Sequence, residues 1–153
     1  MRQSYPTAEQ MQQSIDMIAA SVENEKSDAM FYDWLIQNIP KIINYEVQLE
    51  VAQIIESIKN DELGHNQIFK MMYKQLTGKD VPEAEEEQVE YPQNFIDGIS
   101  KALKGELDAV KRYRVIIEGL PNNSYRDQVF NILTDELRHA NLYNYIYTSV
   151  LMS

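Results

Sequence analysis

Apolar side chains recur at alternating steps of three and four residues along four segments of the chain. This spacing places them on one face of an α-helix, so the pattern predicts four helices that bury their apolar faces together. Each apolar face is interrupted by one or two ionisable residues at core-facing positions. These residues are Glu25 in the first segment, Glu62 and His65 in the second, Glu106 in the third, and Glu136 and His139 in the fourth. Because charged side chains are rarely buried without a partner, these six residues form the candidate functional site.

Turn and capping signals mark where the predicted helices begin and end. Thr7 and Gln10 have the spacing of a capping box at the start of the first helix, and Pro40 lies where that helix should end. The predicted helices cover about residues 8–38, 45–77, 92–118 and 124–151. No strand-like alternation appears between turn signals, and 153 residues are typical of one domain. The sequence therefore predicts a single all-α domain over residues 1–153.

The two halves of the sequence repeat one another. A Glu, a Tyr and a Pro recur at the same spacing, as Glu25, Tyr32 and Pro40 and again as Glu106, Tyr113 and Pro121. Each proline is followed by an Asp-Glu-Leu-x-His block, at residues 61–65 and 135–139. An internal duplication explains this pattern most simply.

The segment between the second and third predicted helices decides the topology. A direct antiparallel connection needs only a few residues, but residues 78–91 provide 14. Fourteen residues extend to roughly 46 Å, and returning along the bundle requires roughly 42 Å. The length favours two helical hairpins joined by one long crossover, which is the ferritin-like arrangement. The acidic run at residues 83–87 within the crossover is interpreted as a solvated loop.

The six ionisable residues have the chemistry of a metal site. In each Glu-x-x-His pair the side chains are three residues apart, so they are neighbours on one helix face. Two such pairs and one Glu from each remaining helix supply four carboxylates and two imidazoles. Burying these carboxylates alone would be costly, whereas two divalent cations would balance their charge. Mixed carboxylate and imidazole ligands favour iron or manganese, with zinc as a competitor.

Composition excludes several other kinds of site and partner. The chain has no cysteine, which excludes disulfides, thiolate nucleophiles and iron–sulfur clusters. A net charge of -10 without a dense Lys/Arg stripe argues against nucleic acid as a partner. No apolar stretch approaches the roughly 20 residues of a membrane span, and the polar amino terminus lacks a signal-peptide core. A cytoplasmic protein without membrane partners is therefore expected.

The ordered set Glu, Glu-x-x-His, Glu, Glu-x-x-His resembles the ferritin-like di-iron carboxylate proteins, including bacterioferritin and rubrerythrin. The resemblance covers nearly the whole chain, and it implies two iron ions bound by the six residues named above. It further implies that Glu62 and Glu136 bridge the metals, that Glu25 and Glu106 are terminal ligands, and that each histidine binds one metal.

The sequence also departs from these relatives. Rubrerythrins carry a cysteine-ligated iron domain and usually another Glu where this chain has Ala109. Bacterioferritin binds haem through a Met where this chain has Leu63, so no haem is expected. Only 14 residues follow His139, too few for the additional carboxy-terminal helix of cage-forming ferritins.

Four further residues are candidates for supporting the metal ligands. Asp61 and Asp135 precede the Glu-x-x-His pairs and are positioned to accept the remaining imidazole hydrogen from the opposite histidine. The alternative for both is an ordinary solvated helix position. Tyr32 and Tyr113 share the ligand face two turns further on, where each phenol either approaches the site or packs in the core.

The resemblance implies a dinuclear metal oxidoreductase that reacts with dioxygen or hydrogen peroxide, in a response to oxidative stress or as a ferroxidase. Because no rubredoxin-like domain is present, an external electron donor is expected. Separately, the protein is expected to form a homodimer. Two alternatives stay open at this point. The bundle could be an iron storage or carrier protein, or the metal could serve only to fasten the helices together.

Overall fold

The computed structural model describes residues 5–83, 85 and 88–153. The helices are α1 (Ala8–Ser21), α2 (Glu25–Gln37), α3 (Tyr45–Thr77), α4 (Phe95–Gly119) and α5 (Asn123–Met152). All regular secondary structure in these residues is helical, which confirms the all-α prediction. Within the same residues, no helix combines the length and the apolar character needed to cross a membrane.

The helices form two hairpins that pack as one bundle. In the first hairpin α1 and α2 lie against α3, and in the second α4 lies against α5. The hairpins meet where α1 packs on α4 and where α3 packs on α5. Because no Cα atom of α3 lies within 8 Å of a Cα atom of α4 in the described part of the chain, these two helices occupy diagonal positions. This is the ferritin-like arrangement that the long crossover predicts.

Local capping explains why several helices begin and end where they do. The capping box between Thr7 and Gln10 is present at the start of α1, as the sequence indicates. α3 ends at Gly78, which has a φ of 73° and so adopts the left-handed conformation that favours glycine. In the following crossover Glu83 and Glu85 are exposed, whereas the remaining members of the acidic run, residues 84, 86 and 87, lie outside the described residues.

The structure differs from the prediction in the first helix, which is broken at residues 22–24 instead of running over 8–38. Asn24 caps α2, because its side-chain oxygen accepts hydrogen bonds from the main-chain N–H groups of Lys26 and Ser27. Asn66 of α3 accepts a hydrogen bond from the N–H of Glu23 at 3.0 Å and donates one to its carbonyl oxygen at 3.2 Å. The break is therefore stable, because the main-chain N–H and carbonyl groups of Glu23, which make no helical hydrogen bonds, are bonded to the Asn66 side chain.

Two apolar clusters lie on either side of a polar layer in the bundle. One cluster contains Ile58, Ile99 and Tyr143, and the other contains Phe69 and Leu133. Along α3, α4 and α5 the ionisable residues of the apolar stripes fall between members of the two clusters. The fold thus holds a layer of charged side chains between two layers of tightly packed apolar ones.

Candidate metal centre

Four of the predicted site residues converge in the polar layer. Glu62, Glu106, Glu136 and His139 each offer one ligand atom, and these atoms all lie within 4.8 Å of one another. Glu106, Glu136 and His139 are buried, while Glu62 is half-buried. His65 joins them, because its Nδ1 lies 3.0 Å from Oε1 of Glu136. The helix periodicity explains this convergence, since all five positions belong to the inward stripes of α3, α4 and α5.

Glu62 and Glu136 lie between the two imidazole rings. Oε1 of Glu62 is 3.1 Å from Nδ1 of His139, and its Oε2 is 3.6 Å from Nδ1 of His65. Oε1 of Glu136 is 3.0 Å from Nδ1 of His65 and 4.0 Å from Nδ1 of His139. Oε1 of Glu106, in contrast, approaches only His139, at 3.7 Å from Nδ1. Two carboxylates therefore contact both imidazoles and a third contacts one.

The outer nitrogen of each imidazole faces an aspartate from the opposite helix. Nε2 of His65 is 3.0 Å from Oδ2 of Asp135, and Nε2 of His139 is 3.0 Å from Oδ2 of Asp61. A carboxylate in this position accepts the Nε2 hydrogen, which orients the ring and leaves Nδ1 free to bind a metal. Arg138 also donates to Asp61, and this hydrogen bond fixes the carboxylate.

Four buried atoms in the cluster lack a hydrogen-bond partner. They are Oε1 of Glu62, Oε1 of Glu136, Nδ1 of His65 and Nδ1 of His139. These atoms approach one another closely, but they do not have hydrogen-bond geometry. Leaving buried polar atoms unpaired is costly, whereas a cation would satisfy all four at once. The donor set thus fits a divalent metal with mixed oxygen and nitrogen ligands.

The electrostatics of the cluster without metal favour charged histidines. Burial opposes the charged form of His65, but Glu136, Glu62 and Asp135 outweigh it and raise its pKa to about 11. Burial likewise opposes the charging of His139, whereas its neighbouring carboxylates raise its pKa to about 10. Both imidazoles therefore hold an additional proton at neutral pH when no metal is bound.

The pKa values of the Glu106 and Glu62 carboxyl groups shift in opposite directions. Burial raises the pKa of Glu106 to about 9, with a further increase from Glu136 and an opposing effect from His139. Burial also favours the neutral form of Glu62, but His139 and His65 overcome it and lower its pKa to about 2. The cluster is consequently a network of shared protons that a metal would displace.

Glu25 lies apart from the cluster that the other five predicted residues form. It is the first residue of α2, its side chain is 42 % exposed, and its Oε1 accepts a hydrogen bond from Lys70 at 2.9 Å. The break at residues 22–24 ends the regular spacing that would have carried the inward stripe from α1 to Glu25. The side chain is partly exposed, is paired with Lys70, and lines a small cavity that Glu62 also borders.

Glu23 is a further carboxylate near the cluster that the sequence reasoning did not consider. It lines the same cavity as Glu62, Glu106 and Glu136. The signal that could have revealed it is the polar run at residues 23–28, in which Asn24 is a favourable helix cap. A cap at this position predicts a new helix and therefore a change in which side chains face inward.

A cavity of about 720 Å³ connects the cluster with the surface between α2, α4 and residues 88–90. Tyr32 and Tyr143 line this cavity, and the buried hydroxyl of Tyr143 has no hydrogen-bond partner among the described residues. Burial raises the pKa of Tyr32 well above its usual value, so its phenol keeps its proton. Tyr113 instead packs in the apolar core, with its ring centroid 5.2 Å from that of Phe69.

The fold and the cluster together define a ferritin-like helical bundle with a buried carboxylate and imidazole centre. Residues 16–147 match the family model described as Rubrerythrin, and the chain belongs to this family. It is similar to the "Uncharacterized protein YhjR" of Bacillus subtilis (strain 168), with 31% identity over 120 residues, which are 69% of this chain and 81% of that protein. No solved structure gives a significant match to the chain.

Proposed function

We propose that the protein is a non-haem dinuclear metal oxidoreductase, with iron as its metal and dioxygen or hydrogen peroxide as its oxidant. The observation that carries this proposal is the set of four buried donor atoms that converge without hydrogen-bond partners. Membership of the Rubrerythrin family supports it. Carboxylate and imidazole ligands also suit iron, whose two oxidation states would supply the redox chemistry when it is bound.

The geometry supports distinct roles for the ligands. Glu62 and Glu136 are suited to bridge two metals, because each contacts Nδ1 of both imidazoles. Glu106 and His139 lie on one side of this pair, and His65 lies on the other. Asp61 and Asp135 would keep the Nε2 hydrogens in place, so that Nδ1 stays available.

The surroundings support a reaction with a small oxidant. The cavity offers a route from the surface to the carboxylates. Tyr32 lines this route with a protonated phenol, which can donate a hydrogen bond to a molecule entering the site. Apolar clusters on both sides of the polar layer limit the access of water from the bundle ends.

The reaction can be tested by stopped-flow absorption spectroscopy. The protein is loaded with ferrous iron without oxygen and mixed separately with dioxygen and with hydrogen peroxide. We expect iron oxidation faster than for free ferrous iron under the same conditions, followed by a stop after one turnover unless an electron donor is added. The zinc-loaded protein is the matched control and should remain silent, because zinc has no redox chemistry. Oxidation no faster than that of free ferrous iron with either oxidant would leave a structural metal as the better explanation.

Metal uptake should release protons near neutral pH. His65, His139 and Glu106 have pKa values raised to about 11, 10 and 9, so each holds a proton at pH 7 that a bound metal must displace. The apparent affinity should accordingly rise with pH between about 6 and 9. An indicator dye in weak buffer measures the protons released per metal, with a His65→Gln variant as the control that should release fewer. Metal binding without any acidification would contradict the protonated state assigned to the cluster.

A further inference from the structure

The two sides of the cluster are not equally supplied with carboxylates. On the His139 side, Glu106 adds a third carboxylate to the shared Glu62 and Glu136. On the His65 side, the remaining carboxylate within reach is Asp135, and it contacts the outer nitrogen of the ring instead of Nδ1. A second metal bound at His65 therefore lacks a terminal carboxylate among the residues predicted from the sequence.

We propose that Glu23, rather than Glu25, is the terminal carboxylate ligand on the His65 side, and that Asn66 is the residue that positions it. This inference rests on the dinuclear site proposed above. It assigns the ligand to the break between α1 and α2 instead of to a helix.

The contacts of Asn66 hold the main chain of Glu23 against α3, one residue along the chain from His65. Asn66 directly follows His65 in α3 and is only 5% exposed. Its side-chain amide binds the main chain of Glu23 at two points, the N–H at 3.0 Å and the carbonyl oxygen at 3.2 Å. These two hydrogen bonds restrict the position of the Glu23 main chain, from which its side chain reaches the cavity that Glu62 and Glu136 also line.

The cavity that Glu23 lines and the charges around it also support its assignment as a metal ligand. Glu23 lines the cavity that also contains Glu62, Glu106 and Glu136. Glu23 is solvent-exposed as a residue, but the protein around its carboxyl group and the negative charges of Asp28, Glu62 and Glu136 raise its pKa to about 9. A cation bound in the cluster would offset these negative charges and so favour the ionised form of Glu23. Glu62, Glu106 and Glu136 supply three negative charges when ionised, so Glu23 supplies the fourth that two divalent cations require.

The surroundings of Glu25 argue against the same role for that residue. Its carboxylate is bonded to Lys70, whose positive charge already neutralises it. Among the described residues, Glu25 lines a separate cavity of only about 20 Å³ beside Glu62, and it does not line the cavity of about 720 Å³ that Glu23 shares with Glu62, Glu106 and Glu136. Binding of Glu25 to a metal in the cluster would require breaking this ion pair.

A matched pair of isosteric variants tests the assignment. The parent protein, Glu23→Gln and Glu25→Gln are each equilibrated with ferrous iron without oxygen, dialysed, and analysed for iron per chain. We expect two iron ions in the parent, about one in Glu23→Gln and two in Glu25→Gln. Loss of iron in Glu25→Gln with none in Glu23→Gln would overturn this inference while leaving the dinuclear site intact. A parent that binds no iron would overturn the proposed function as well.

Asn66 provides a second test that does not depend on changing a charge. Asn66→Ala should weaken binding of the second iron by about 10- to 100-fold, as is typical for residues that orient a ligand. In the Glu23→Gln background the same change should cause no further loss, because Asn66 acts through Glu23. Losses that simply add in the double variant would show that Asn66 does not position Glu23. Circular dichroism of each metal-free variant establishes that the comparison is between folded proteins.

Discussion

Replacing Glu136 with alanine should lower the iron content below two per chain even when iron is added in excess. Glu136 is 2% exposed, and its Oε1 contacts Nδ1 of both histidines, so its removal affects the binding of both metals. The loss of affinity should exceed the 10- to 100-fold typical of residues that only orient a ligand. Elemental analysis and anaerobic titration with ferrous iron measure the effect, and Glu62→Ala should behave in the same way.

The metal-free Glu136→Ala protein should be less stable than the parent, because charged His65 loses the carboxylate that lies 3.0 Å from its Nδ1, so circular dichroism must first establish that the variant is folded. Asp127→Ala, at an exposed position of the same helix, is the matched control and should leave the iron content unchanged. Two iron ions bound by both Glu62→Ala and Glu136→Ala as tightly as by the parent would refute the bridging roles.

Replacing Gly119 with alanine should cause the largest loss of stability among the glycine substitutions. A Cβ atom at this position would lie 2.2 Å from the carbonyl oxygen of Gln10 and 2.2 Å from Oγ of Ser14. Both atoms belong to α1, and Ser14 is itself bonded to the carbonyl oxygen of Ile116 at 2.9 Å, so neither can move freely. Separating α1 from α4 should lower the free energy of unfolding by about 3 kcal/mol, as overpacking of a core does. Urea unfolding of the metal-free protein measures this change.

Gly105→Ala is the matched control for this substitution. Gly105 lies in the middle of α4, and an added Cβ would meet no atom within 4 Å. Alanine is favoured over glycine in a helix interior, so this variant should gain up to about 1 kcal/mol. Equal stabilities of the Gly119 and Gly105 variants would show that α1 and α4 are not packed as closely as described.

The ferritin-like arrangement could be predicted from the sequence because its causes are local. Side chains three and four residues apart share a helix face wherever the helix lies, so the apolar stripes indicate the core-facing side of each helix. The same rule places Glu62 beside His65 and Glu136 beside His139 without any knowledge of the tertiary structure. The length of the crossover then leaves α3 and α4 on the diagonal of the bundle.

The position of the first-helix carboxylate could not be predicted in this way, because a distant residue decides it. The apolar stripe continues through residues 22–24, and periodicity alone gives one uninterrupted helix with Glu25 facing inward. The break depends on Asn66, which is 43 residues away and satisfies both polar groups of the Glu23 main chain.

The sequence by itself therefore determined helices α3, α4 and α5, their buried faces and the two Glu-x-x-His pairs, since each depends on spacing within one helix. Only the tertiary structure decided that Glu23 lines the cavity while Glu25 pairs with Lys70. It also decided that Gly119 is closed to any larger side chain. In each case the deciding contact joins residues far apart in the chain. Spacing within one helix cannot predict which atoms contact each other between helices.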